Sequence, residues 1–142
     1  MKSYIAQAEG LVRAHGTRDP ERIARELGIT VLYAPFQVLY GLSLSLDGYR
    51  VIVVNADLPE LTRKLVVAHE IGHFLLHPGG NFLYVLDRTR MYGKEEYQAN
   101  VFAFELLFGE AAQARWVLEA AATGCGAADW LSNTGSTCPK GR

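Results

Sequence analysis

The chain of 142 residues is long enough for one domain with a single hydrophobic core, and its 49% hydrophobic and 20% charged residues are ordinary for a folded protein. A formal net charge of -1 argues against direct binding to a nucleic-acid backbone. The longest apolar stretch, residues 65–76, is interrupted by ionisable side chains and is too short to span a membrane. The N-terminus lacks the apolar run of a signal peptide. We therefore expect a cytoplasmic protein with neither a membrane nor a nucleic acid as partner.

The beginning of the chain predicts two helices and a strand. Apolar residues have helical spacing over residues 4–14, and a glycine soon afterwards is placed to end that helix. Asp19 is followed by a proline, which is typical of an N-cap and a first-turn residue. The second helix should stop at Gly28. The β-branched residues that follow predict a short strand over 29–33.

A β-hairpin is predicted next. Residues 41–46 alternate with period two, Asp47-Gly48 is a tight-turn dipeptide, and residues 49–55 form the returning strand. The four consecutive apolar residues 51–54 predict that this strand is covered on both faces. The strand over 41–46 could offer an edge to which an extended substrate adds as a further strand.

The rest of the chain predicts a helix from Pro59 to about His77, a short strand over 82–85, and helices over 94–108 and 110–122. Residues 1–122 should form one domain. Residues 123–142 are rich in Gly, Ser, Thr and Asn and should form a loosely ordered tail. Cys125 and Cys138 both lie in that tail and make no disulfide framework.

The strongest functional signal is an HExxH pattern, His69-Glu70-Ile71-Gly72-His73, inside the helix that begins at Pro59. Residues four apart share one helical face with Cβ atoms roughly 5–6 Å apart, so His69 and His73 can converge on one zinc ion. Glu70 projects beside that metal, where its carboxylate can reach a bound water. The helix is apolar nearly all round and should be buried, and buried ionisable groups are costly without a partner. A metal would supply that partner.

A catalytic zinc site normally has three protein ligands, so a third must be found. The pattern HExxHxxGxxH would need a histidine at position 79, but that residue is Gly79. His77 lies roughly 12 Å along the helix axis from His69, which is too far to close the same site. We interpret His77 as a group at the helix C-terminus or behind a ligand.

The helix over 94–108 offers two carboxylates, Glu95 and Glu96. Glu96 is the better third ligand because Asn100 lies one turn later on the same face. Asn100 could accept a hydrogen bond from the outer nitrogen of His69, as residues behind a metal-binding histidine usually do. We interpret Glu95 as a first-turn residue favoured by the helix dipole.

The chain resembles the ImmA/IrrE metallopeptidases in two motifs, HEIGHFLLH at 69–77 and ExxANxFAxELL at 96–107. The resemblance covers roughly residues 5–108. It implies an α+β fold: a small zincin-like metallopeptidase domain, mostly helical, with a short β-hairpin or sheet beside the HExxH helix. It also implies a gluzincin-like, zinc-dependent endopeptidase. The known relatives cut helix-turn-helix transcriptional repressors, so such a repressor is the expected protein substrate.

Two questions stay open at this point. The chain could instead be a zinc-stabilised protein-interaction module without activity, like one partner of a toxin–antitoxin pair, although such a module has no use for Glu70. The donor that would stabilise the oxyanion is also undecided among three nearby tyrosines, Tyr84, Tyr92 and Tyr97.

Overall fold

The computed structural model describes residues 3–79, 82–85 and 93–109. Its elements, in chain order, are α1 (Ser3–His15), α2 (Pro20–Glu26), β1 (Ile29–Ala34), β2 (Leu39–Leu46), β3 (Tyr49–Asn55), α3 (Glu60–Leu76), β4 (Phe82–Val85) and α4 (Lys94–Phe108). The α+β class is confirmed, and each of these elements was predicted from the sequence. The predicted helix over 110–122 and the tail, with Cys125 and Cys138, lie outside the described residues.

Local signals set the ends of several elements. The Asp19 carboxylate accepts a hydrogen bond from the backbone N–H of Glu21 at 3.2 Å and so caps α2, as the sequence predicted. Asp47 and Gly48 join β2 to β3 with φ angles of 49° and 84°. Positive φ at both central residues belongs to the hairpin turn that matches the twist of the flanking strands.

The sheet has four strands in the order β1-β3-β2-β4. Strand β1 runs parallel to β3, whereas β2 is antiparallel to both of its neighbours. Gly41 of β2 is paired with Val54 on one side and with Tyr84 on the other. The prediction that residues 41–46 of β2 offer a free edge is therefore wrong over residues 41–43, where the short strand β4 occupies that edge. The outer strands of the described sheet are β1 and β4.

The two faces of the sheet differ in burial. Ile52 and Val54 are fully buried, while Val51 and Val53 are only half-buried. The prediction that β3 is covered on both faces is thus wrong. Among the described residues, helices cover one face only: α3 packs on β2 and β3, and α2 packs beside β1. The other face leaves Leu44 41% exposed.

Helix α3 lies in the centre of the molecule, between the sheet and α4. Its residues 65–73 are all buried, which explains why the segment is apolar nearly all round. Gly41 lets the sheet approach it closely, because a Cβ there would lie only 2.7 Å from Cγ1 of Val66. None of the described helices has the length and hydropathy needed to cross a membrane.

Candidate metal centre

Helices α3 and α4 carry the polar side chains of the candidate site. His69 and His73 lie one turn apart on the side of α3 that meets α4, and both are buried. Glu96 and Asn100 are likewise one turn apart on α4. The helices can pack closely because Gly72, between the two histidines, has no side chain: a Cβ would lie 3.0 Å from Cδ1 of Phe102.

Three groups converge at this contact. The Nε2 atoms of His69 and His73 are 3.1 Å apart. Glu96 lies across both of them, with Oε1 3.2 Å from Nε2 of His69 and Oε2 2.9 Å from Nε2 of His73. The two imidazoles and one carboxylate named from the sequence as metal ligands therefore point at one small volume.

The outer nitrogens of both histidines are also engaged. Nδ1 of His69 lies 2.8 Å from Oδ1 of Asn100, a buried contact in which the amide oxygen can only accept. Nδ1 of His73 lies 3.1 Å from Nδ1 of His77. Nε2 of His77 in turn lies 3.0 Å from Oε1 of Gln98 on α4. His77 thus lies behind His73, which is one of the two positions that the sequence analysis considered for it.

Glu70 lies near both the histidines of α3 and Ser43 of the sheet. Its carboxylate is fully buried, and neither oxygen has a hydrogen-bond partner among the described residues. Burial raises its pKa well above the ordinary value of 4.5, and the negative charge of Glu96 adds to that rise. The hydroxyl of Ser43 on β2 opposes the rise and lowers the pKa. That hydroxyl is also buried and, in this part of the chain, makes no hydrogen bond of normal geometry.

Glu96 and His73 both have pKa values below those of their free side chains. Burial tends to raise the pKa of Glu96, but the hydrogen bonds with His69 and His73 outweigh it and bring the pKa down to about 2. Burial lowers the pKa of His73 to about 4, although Glu96 acts against this change. At neutral pH the centre therefore presents an ionised carboxylate and, at His73, a neutral imidazole.

This donor set fits a metal ion of the zinc type. Two imidazole nitrogens and one carboxylate are typical ligands of catalytic zinc, and tetrahedral bonds of about 2.0–2.1 Å place ligand atoms roughly 3.3 Å apart. The observed separations of 2.9–3.2 Å are close to that value. One oxygen of Glu70 also lies within 4.8 Å of a nitrogen of each histidine. We favour Glu96 as the third donor because both of its oxygens are already within 3.2 Å of the two Nε2 atoms.

The structure adds residues that the sequence reasoning missed. Ser43 lies in a strand that was predicted from its alternation, and alternation alone does not say which face is buried. Gln98 lies two residues from both Glu96 and Asn100, so no helical spacing connected it with His77. The polarity of Ser43 becomes informative only once the face of the strand that the helices cover is known, because Ser43 is fully buried on that face.

Other sequence-predicted residues lie where they add little to the centre. Glu95 is exposed in the first turn of α4, in agreement with its interpretation as a helix-dipole residue. Tyr97 is 49% exposed. The side chain of Tyr84 and the whole of Tyr92 lie outside the described residues, so the choice of an oxyanion donor stays open.

Comparison with protein families gives the site its context. The family model of the IrrE N-terminal-like domain, peptidase M78, matches residues 24–115. The chain belongs to this metallopeptidase family. The matched range contains β1 to β4, the HExxH helix and α4, so both halves of the candidate metal centre lie within it.

Two curated relatives are similar to the chain. An uncharacterised immunity region protein 2 of Bacillus phage phi105 is 32% identical over 106 residues, covering 72% of this chain and 66% of the relative. The metallopeptidase ImmA of Bacillus subtilis strain 168 is 30% identical over 110 residues, covering 75% of this chain and 63% of the relative. The chain thus spans slightly less than two thirds of the length of each.

Proposed function

We propose that this member of the family is a zinc-dependent endopeptidase in which His69, His73 and Glu96 hold the metal. The convergence of these side chains and the family membership support the proposal. When bound there, a zinc ion would polarise the scissile carbonyl and lower the pKa of water, which makes water a nucleophile near neutral pH. Asn100 keeps His69 in the orientation that turns its Nε2 towards the centre.

In this proposal Glu70 is the general base and acid. Its carboxylate accepts a proton from the attacking water and returns it to the amine of the leaving fragment. A raised pKa suits both steps, because a carboxylate with a pKa nearer to neutral accepts a proton more readily than an ordinary one. The backbone and side chains around it exclude bulk water, as its full burial indicates.

The observation that carries the proposal is the state of the Glu70 oxygens. They are buried beside the converging ligands and have no hydrogen-bond partner in the described part of the chain. A buried, unpaired carboxyl group costs roughly 1–3 kcal/mol or more. A site that only stabilises the fold would gain nothing from it, whereas a site that moves a proton needs an oxygen that is not already engaged.

Replacing the acid by its amide tests this role. Glu70→Gln should keep about one zinc per chain but cleave roughly 10²–10⁴-fold more slowly, because the amide cannot accept the proton. Glu95→Gln makes the same chemical change at an exposed position of α4 and should behave like the unmodified protein. Metal analysis and a peptide-cleavage assay measure the two effects separately. Wild-type rates in Glu70→Gln would exclude the general-base role, and zinc without any cleavage in the unmodified protein would favour an interaction module.

We further propose that the substrate is a helix-turn-helix transcriptional repressor, cut at one or a few positions. The resemblance to the ImmA/IrrE metallopeptidases supports this, as does a relative whose name places it in a phage immunity region. A net charge of -1 is more compatible with acting on the repressor than with binding its operator. The outer strand β4 pairs with Ser43, which adjoins Glu70, and is therefore the edge nearest the base.

Incubation of the zinc-loaded protein with a repressor encoded beside it tests the substrate. Mass spectrometry of both proteins should find cleavage of the repressor at one or a few bonds and little attack on casein. Recognition through a few side chains and backbone pairing predicts this slow and selective behaviour. An intact repressor, together with ready degradation of unrelated unfolded proteins, would instead indicate a general peptidase.

A further inference from the structure

We propose that Gln98 and His77 act as positioning residues for His73: the Gln98 side-chain oxygen orients His77 so that Nδ1 of His77 can accept a hydrogen bond from Nδ1 of a metal-bound His73. The inference rests on the proposed function in one respect, that His73 is a metal ligand. It concerns the side of the centre opposite Asn100 and gives a role to two residues outside the ligand set.

The contacts form a continuous path from α4 back to α3. Oε1 of Gln98 lies 3.0 Å from Nε2 of His77, and Nδ1 of His77 lies 3.1 Å from Nδ1 of His73. The rings of the two histidines are tilted by 50° with centroids 5.2 Å apart, so they meet through their nitrogens and are not stacked face to face. All three side chains are buried or half-buried.

The direction of each hydrogen bond follows from the first acceptor. A carboxamide oxygen only accepts, so Nε2 of His77 must carry the proton. In a neutral His77 the other nitrogen, Nδ1, is then an acceptor. When a metal takes the Nε2 lone pair of His73, the proton of that ring lies on Nδ1 and donates to this acceptor.

The reverse arrangement shows why the oxygen matters. If a donor faced His77 instead, Nε2 of His77 would accept and its Nδ1 would carry the proton. Two N–H groups would then face each other across the contact between His77 and His73 whenever a metal occupied Nε2 of His73. One side-chain atom on α4 thus favours the metal-bound form of a histidine two contacts away.

The other histidine supports this reasoning independently. His69 also has its outer nitrogen directed at an amide oxygen of α4, that of Asn100, at 2.8 Å. Asn100 reaches its histidine directly, whereas Gln98 reaches His73 through His77. Both imidazoles of α3 are thus oriented by side-chain amides two residues apart on the same neighbouring helix.

Zinc affinity in three variants tests the inference. Gln98→Leu removes the acceptor and should weaken zinc binding roughly 10-fold, within the 10–100-fold range of residues behind metal ligands. Gln98→Glu keeps an obligatory acceptor and should bind zinc at least as tightly as the unmodified protein. Gln7→Leu makes the same change at an exposed position of α1 and is the matched control. Competition with a chromophoric chelator measures all four affinities, and circular dichroism checks that each variant is folded.

The position of the proton on His77 gives a readout that a packing role would not change. Nitrogen-15 NMR of that imidazole should find the proton on Nε2 in the unmodified protein and in Gln98→Glu, and a mixture of tautomers in Gln98→Leu. A proton on Nδ1 of His77 in the unmodified protein would overturn the inference, as would equal weakening of zinc binding by Leu and Glu. Failure of the unmodified protein to bind zinc would reject the proposed metal site instead, and the NMR result would still decide the direction of the contact between Gln98 and His77.

Discussion

Glu70 and Glu96 are two carboxylates of one centre, yet their surroundings are opposite. Glu70 is fully buried against the sheet with no hydrogen bond to either oxygen from the described residues, and burial raises its pKa. Glu96 lies on α4 with both oxygens close to histidine nitrogens, and these hydrogen bonds lower its pKa to about 2. Burial acts in the same direction on both groups, so the difference comes from hydrogen-bond partners.

In the proposed mechanism, that difference gives the two acids different roles. A carboxylate with a pKa of about 2 stays ionised near neutral pH, which suits a permanent ligand. A carboxyl group whose pKa has been raised can exchange a proton under mild conditions, which suits a base. The proposal thus uses the same residue type for two purposes, because one side chain faces two imidazoles and the other faces a strand.

The largest expected effect comes from removing the ionised member of the pair. Glu96→Ala should lose zinc, with affinity at least about 100-fold weaker, because only two protein ligands remain and zinc sites normally need three. His69→Ala and His73→Ala should do the same. Glu95→Ala, its exposed neighbour, should keep a full equivalent of zinc by metal analysis. If Glu95→Ala lost the metal while Glu96→Ala kept it, the assignment of the third ligand would be wrong.

A smaller effect should follow when the ligand shell is loosened without removing a ligand. Asn100→Ala leaves Nδ1 of His69 without its buried acceptor, so the ring is free to turn away from Glu96. Zinc affinity or cleavage should fall roughly 10–100-fold while the site persists. Chelator competition and initial rates measure the two quantities. Unchanged values for both would reduce Asn100 to a packing residue.

The thermal stability of the metal-free protein should show most directly how the surroundings of Glu70 and Glu96 differ. The pKa of Glu70 in the folded state is above 4.5, so this acid destabilises the fold increasingly as the pH rises through 4.5. Glu70→Gln should therefore raise the melting temperature at pH 7. The pKa of Glu96 in the folded state is about 2, so this acid stabilises the fold above pH 4.5, and its contribution is lost as the pH falls towards 2. Glu96→Gln should therefore lower the melting temperature at pH 7.

Calorimetry after removal of zinc by a chelator measures these changes, which we expect to be roughly 1–3 kcal/mol each, or several degrees. Both differences should shrink below pH 4.5, where the acid at position 70 is protonated in the folded and unfolded states alike. Changes of the same sign at pH 7 would contradict the opposite environments of the two acids.

The polar members of the centre could be named from the sequence because helix geometry relates them locally. The four-residue spacings in His69–His73 and Glu96–Asn100 each place two side chains on one face, and the structure brings the two pairs together. Ser43 and Gln98 could not be found in this way. Their partners lie on other elements, and only the packing of strand on helix and helix on helix brings them close.

Prediction of the fold from the sequence was limited in the same way, to features that depend on nearby residues. Caps, turns and periodicity predicted each described helix and strand because these signals act within a few residues. The position of β4 beside β2 depends on how the chain returns after α3. It was not predicted, and β4 occupies residues 41–43 of the predicted substrate edge. Likewise, an apolar run such as residues 51–54 does not say how many faces of a strand are covered.

Gly72 has a consequence for anyone who would transplant this centre into another protein. A search for HExxH accepts any residue at that position, yet a Cβ there would lie 3.0 Å from Phe102 and 3.4 Å from the backbone of Ala99. A large side chain would leave the pattern intact and push away the helix that carries Glu96 and Asn100. A graft that copies the ligands and their spacing must therefore also copy the small residue that sets the distance between the two helices.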